Sequence, residues 1–280
     1  MSRGSGLKAT IYRIAHLPMM RIIIGTLVCG IAMLVSNSLL RTILGSEGDI
    51  VRIIRWILAS LVLISSYYYF FRYFEAREIT ELKLKYLWSD SLVGLLIGMG
   101  LIALVVLVVY ISGYYTIRSI GKPSVLLTIF IFFVTSAALE EIVFRGIVYR
   151  IIETTWGTKS ALVTSALLFG AAHILNDHVD FISIISAASG GVFLGLLYSL
   201  KGRLWLPLAF HASWNWTQAA FGTVVSGNTD LPTFLDVNLT GPELITGGAF
   251  GMENSIITVG LIIFSSGLVI SILIKKHQAF

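Results

Sequence analysis

Glu140, Glu141 and Arg145 sit in a stretch that is otherwise as apolar as lipid, and from Ser124 to Leu139 the chain carries no charge at all. An ionised side chain deep in a bilayer costs roughly 2.5–3.5 kcal/mol or more, so such groups face a bundle interior or a water-filled cavity. Two further polar sites interrupt apolar runs: Phe169-Gly170-Ala171-Ala172-His173 and His211-Ala212-Ser213-Trp214-Asn215. A carboxylate, two imidazoles and a carboxamide make a hydrolytic set. The acid takes a proton from water and returns it to a leaving amine. An imidazole orients the water, and amide or imidazole N–H groups donate to a tetrahedral oxyanion.

Spacing divides these groups further. Glu141 and Arg145 are four apart and share a helix face, so they are expected to form an internal ion pair. Glu140 points about 100° away and is left to face a cavity as general base. His211 and Asn215 also share a face. The residues leave a second chemistry open, in which Glu140, His173 and His211 ligate a divalent metal such as zinc that activates the water. Taken singly, each piece has a plainer reading: a buried His or Asn as interhelical glue, Glu141–Arg145 as a structural pair, Phe169 as packing, Cys29 as filler. One cysteine permits no intrachain disulfide and excludes a Cys-based metal site.

The elements that must hold this set are membrane helices. Of 280 residues 56% are hydrophobic and 12% charged, against about 25% charged in a soluble domain. The reading is an all-α polytopic membrane protein of eight spans, near Ile22–Leu40, Ile53–Phe71, Ser91–Ile117, Pro123–Ile152, Ser160–Asn176, Phe181–Leu200, Leu204–Val225 and Ser255–Ile274. Gly94 and Gly98 give the third span a small-xxx-small face for close packing. The charged segment Arg72–Asp90 reads as a solvated amphipathic connection, and Ser226–Asn254 as a loop rich in Gly, Thr and Asn. Three parts follow: residues 1–122, three helices behind a basic N-terminus; residues 123–225, a core of helices four to seven carrying the polar set; and residues 226–280, a loop and a last helix.

Placing most of the 20 Lys and Arg residues on the inner side puts both termini in the cytoplasm, which requires an even number of spans. Counting about 1.5 Å per residue from the inner ends puts Glu140 and His173 roughly 18 and 20 Å deep, and His211 and Asn215 roughly 10 and 17 Å. The three motifs therefore fall in one layer at mid-depth.

Glu-Glu-x-x-x-Arg, then Phe-x-x-x-His, then His-x-x-x-Asn, in that order on successive membrane helices, resembles the CPBP family of CAAX prenyl endopeptidases and bacteriocin-processing (Abi) proteins. The matching positions are Glu140, Glu141 and Arg145, Phe169 and His173, and His211 and Asn215, and the likeness spans about Ser124–Gly222. The resemblance implies an intramembrane endopeptidase, with mechanisms argued both with and without a metal. It makes the expected partners membrane lipids and a membrane-associated peptide or protein, with no nucleic acid. The compact chain reads as a prokaryotic cytoplasmic-membrane member, where prenylated CaaX proteins are not the expected substrate. The rivals are a non-enzymatic immunity or chaperone-like factor that binds a partner through its polar layer, and a transporter. Neither internal repeats nor paired broken helices support the transporter.

Overall fold

The computed structural model describes residues 3–278. Residues 1–2 and 279–280, which belong to the first and last sequence-assigned parts, lie outside the described residues, as does the Arg3 side chain. Among the described residues the regular secondary structure is helical apart from two short strands. Helix α1 (Arg3–Ala15) precedes α2 (Pro18–Leu44), α3 (Asp49–Phe74) and α4 (Leu87–Ile111). Strand β1 (Tyr115–Ile120) leads to α5 (Ser124–Glu141), a π-helical segment (Ile142–Tyr149) and α6 (Arg150–Ala172). Then come α7 (Phe181–Lys201), α8 (Trp205–Ala220), β2 (Leu235–Leu239), a short α9 (Glu243–Thr246) and α10 (Ile256–Gln278). Helices prevail because lipid offers backbone groups no partner, so each span must close its own hydrogen bonds.

Six helical runs among the described residues are long and apolar enough to cross a membrane, and one of them, Ser124–Leu175, is 52 residues long. That run is a hairpin. Phe144 and Phe169 would lie about 37 Å apart along one straight helix, yet their ring centroids are 5.1 Å apart. The reversal is at Gly157, whose φ of 83° lies in the left-handed region open to glycine. The run therefore supplies two passes. Helix α8 has only 16 residues, about 24 Å, and falls short of the about 30 Å hydrocarbon layer. It is buried along nearly its whole length, between α4, α5 and α7, so the expected count of eight spans depends on this inner helix.

Close packing onto α8 explains the glycines of α4. A Cβ at Gly94 would stand 2.5 Å from the Leu206 carbonyl oxygen, and one at Gly98 would stand 2.2 Å from Ser213 Oγ. The small-residue face lets two backbones touch. Two apolar clusters lie on either side of the polar set. Tyr67, Phe71, Tyr149 and Tyr198 centre one, and Ile102, Phe193, Phe210 and Trp214 centre the other. Cys29 is wholly buried in the first.

Three expectations need correction. The third span does not reach Ile117. Helix α4 stops at Ile111 ahead of Gly113, and the β-branched Tyr115–Ile120 stretch pairs antiparallel with β2, Tyr115 opposite Leu239 and Ile120 opposite Leu235. The Ser226–Asn254 stretch therefore holds a strand and a helical turn rather than a plain loop. The Arg72–Asp90 connection is not solvated throughout, because Glu81 and Asp90 are buried and the Glu75 side chain is only 6% exposed. Glu75 pairs with Arg21 at 2.7 Å, Arg150 at 2.8 Å and Arg77 at 3.0 Å. Glu81 takes Arg77 and the Tyr67 hydroxyl, and Asp90 takes Arg203. Charge in this segment marks cross-links between distant helices, which a one-dimensional reading cannot separate from a wet surface. Burial pushes the Glu75 carboxyl up, but Arg150 and Arg21 more than offset this and hold it below the usual carboxylate range.

Candidate active site

The last turn of α5 carries Ser136, Glu140 and Glu141. The π segment carries Arg145, the end of α6 carries Phe169, the 3-10 turn that follows it opens on His173, and α8 carries His211 and Asn215. A π segment widens the helix locally and is often found at functional sites. Here it starts one residue after Glu141 and is braced by Tyr67, whose hydroxyl donates to the Gly146 carbonyl at 3.0 Å.

Glu141 and Arg145 are both inaccessible to solvent and pair at 3.0 Å. Arg145 also donates to the Gly191 carbonyl of α7 at 2.9 Å, and its guanidinium lies 4.7 Å from the centre of the Phe169 ring. The oxygen of Glu141 that takes Arg145 also takes His211 Nδ1 at 2.9 Å. A carboxylate only accepts, so Nδ1 carries the proton, and the other ring nitrogen is turned outward. That nitrogen, Nε2, lies 3.9 Å from Glu140 Oε2.

Glu140 is about a quarter exposed and faces an open cleft of about 1240 Å³. Ser136 Oγ donates to its Oε1 at 3.2 Å, while Oε2 has no hydrogen-bond partner in the protein. His173 reaches the same cleft with Nδ1 held by the Phe169 carbonyl at 2.8 Å, which leaves its Nε2 free. The Phe169 ring lies 4.7 Å from the His173 ring and 5.9 Å from the His211 ring, between the two imidazoles. Asn215 follows His211 by one turn. It lines this cleft and a smaller, mostly apolar lobe. The six side chains singled out in the sequence thus surround one two-lobed cavity or, for Glu141 and Arg145, support it from beneath.

The metal trio is another matter. Among the described residues no three His, Cys, Asp or Glu side chains are gathered so as to hold a metal ion. Glu140 and His211 approach each other, but His173 is not drawn into a ligand array with them.

Other residues reach the cavity without a sequence signal. Ser226 lines both lobes, and Glu253 lines the smaller one. Ser226 Oγ donates to Glu253 Oε1 at 2.6 Å, and Gln218 Nε2 donates to Oε2 at 3.2 Å. Ser226 lies in irregular chain and Glu253 in a single 3-10 turn, where no long period announces which way a side chain points, while Gln218 sits on α8. The polar turn Asn176-Asp177-His178 is tied to the same cover, with Asn176 Nδ2 donating to the Ser226 carbonyl at 3.0 Å. Ser136 was open to detection, since it precedes Glu140 by four.

A multi-pass helical membrane protein with a buried carboxylate–imidazole–amide cleft is the class this fold and site define. Residues 122–217, which hold every motif residue, match the family model described as type II CAAX prenyl endopeptidase Rce1-like. Over those residues the chain is similar to the CAAX prenyl endopeptidases, which supports a CAAX-protease-like membrane hydrolase. No curated protein matches the chain.

Proposed function

We propose that the chain is an intramembrane endopeptidase that cuts a membrane-associated peptide or protein with a water activated by Glu140. The observation that carries this reading is Glu140, which lines the cleft and whose Oε2 is buried, has no hydrogen-bond partner in the protein, and lies 3.9 Å from an imidazole whose far nitrogen is anchored on Glu141. Glu140 takes the proton of a water held between it and His173 Nε2, and the hydroxide so formed attacks the scissile carbonyl. The amide of Asn215, one turn along α8, donates to the developing oxyanion. Glu140 then returns its proton to the leaving nitrogen. His211 acts as a positioning residue for Glu140 and receives its orientation from Glu141. Arg145 neutralises Glu141, so of the two motif glutamates it is Glu140 that presents its charge to the cleft.

The same reading takes residues 123–225 as the catalytic core, residues 1–122 as a flanking helical part and residues 226–280 as cover and last helix. It also places both termini in the cytoplasm of a prokaryote. The test is cleavage of a membrane-peptide library by purified protein, with the parent set beside Glu140→Gln. Equal cutting by the two would remove Glu140 from the role of base.

A further inference from the structure

Among the described residues, neither lobe of the cavity is lined by a lysine or an arginine. The larger lobe carries Glu140, Asp177 and Asp230. The smaller lobe is walled by Leu194, Phe210, Trp214, Phe250 and Ile262, and carries Glu253. Ser226 and Gln218 fix the direction of the Glu253 carboxylate, but both are neutral, and no cation pairs with Glu253 among the described residues. Arg145 lies outside the lining, wholly buried and engaged with Glu141. A second observation points to a ligand here. Asn215 is only 7% exposed, lines both lobes, and makes no side-chain hydrogen bond within the described protein.

A carboxylate held by neutral donors at the wall of an apolar pocket lacks a counter-ion. A long aliphatic stem ending in a cation satisfies both parts of such a pocket, the stem on the walls and the head on the acid. An acidic side chain is turned away by like charge.

Resting on the peptidase reading above, we propose that the smaller lobe is a specificity subsite for a lysine or arginine side chain of the substrate. Its stem packs on Phe210, Trp214 and Ile262 and its cation pairs with Glu253. Asn215, which borders both lobes, meets the backbone of the residue whose side chain enters the subsite. Glu253 is therefore a specificity residue, and Gln218 and Ser226 position it.

The experiment is binding of an apolar host peptide to the Glu140→Gln protein in micelles. One residue of the peptide is lysine, acetyl-lysine or glutamate, moved in turn along the positions flanking the central bond. At one position lysine is expected to bind about ten- to a hundredfold more tightly than acetyl-lysine, with glutamate weaker still. Adding Glu253→Gln shrinks that gap to about threefold or less. Equal affinity for lysine and acetyl-lysine at every position overturns the subsite. So does a gap that survives Glu253→Gln, since it belongs to Asp177 or Asp230. The lysine to acetyl-lysine comparison needs no change at Glu253, so it stands even where that variant folds poorly. Hydrolysis of the same peptides by the parent chain is read separately. Binding preference without any cut would sink the peptidase reading and leave the subsite, while cutting without preference would do the reverse.

Discussion

His211 Nδ1 and Arg145 Nη1 converge on the same oxygen of Glu141, at 2.9 and 3.0 Å. The ion pair is therefore also the support of an imidazole, and the two glutamates of the motif are joined through one histidine ring.

Removing one charge from this pair should cost far more than removing both. Arg145→Met leaves Glu141 ionised in a site without solvent, and a loss of about 3–5 kcal/mol is expected. The double change Glu141→Gln with Arg145→Met should recover most of that stability. Thermal unfolding of the three variants in detergent checks this, and a double variant no more stable than Arg145→Met would contradict it.

Glu140→Gln keeps the shape and the Ser136 contact while removing the base. Activity is expected to fall by about 10²–10⁴-fold, with the melting temperature nearly unchanged. Initial cleavage rates measured beside the melting curve decide between loss of chemistry and loss of fold.

Gly98→Leu drives a side chain into Ser213 Oγ and the Phe210 carbonyl, which a Cβ alone would approach to 2.2 and 2.5 Å. Overpacking of this kind costs about 1–3 kcal/mol or more. It should also shift α8, and with it His211 and Asn215, so activity is expected to drop together with stability. Unchanged unfolding would show that α4 and α8 are not held in this close contact.

The Glu75 hub carries a pH signature. Its carboxyl titrates below the usual range because Arg150 and Arg21 outweigh burial, and Glu81 is held down by Arg77 in the same way. A depressed folded value means that the unfolded chain binds protons first. The contribution is therefore complete above the ordinary carboxylate value of 4.5 and is lost as the pH falls below it through the folded value. Chemical unfolding of the parent against pH should show this acid-side loss, and Glu75→Gln should flatten it.

Spacing gave what lies within one helix. The i,i+4 rule predicts the Glu141–Arg145 contact, small-xxx-small predicts the α4 face, and the run of apolar residues predicts spans. Joining α5 to α8 through His211 and Glu141 was not legible, because it depends on how two helices rotate against each other. The depth argument put Glu140, His173, His211 and Asn215 in one layer but could not say that they share a cavity. The β1–β2 pair was hidden by hydropathy, since Tyr115–Ile120 reads equally well as the end of an apolar helix. Burial of Glu75, Glu81 and Asp90 was hidden because acids in a connecting segment look solvated until their arginines, far away in sequence, come into view.

Arg145 is pinned at three points: the carboxylate of Glu141, the Gly191 carbonyl of α7, and the face of Phe169. Those ties couple the floor and one side of the cavity into a single stiff body. On the peptidase reading, room for a substrate is expected to come from the Val225–Leu231 stretch, whose Ser226 is tied to Asn176 and Glu253 and whose Val225 and Leu231 join the Ile129–Phe133 cluster. On that reading the guanidinium, though it reaches no bond that breaks, keeps the wall carrying Glu141 and Phe169 in register.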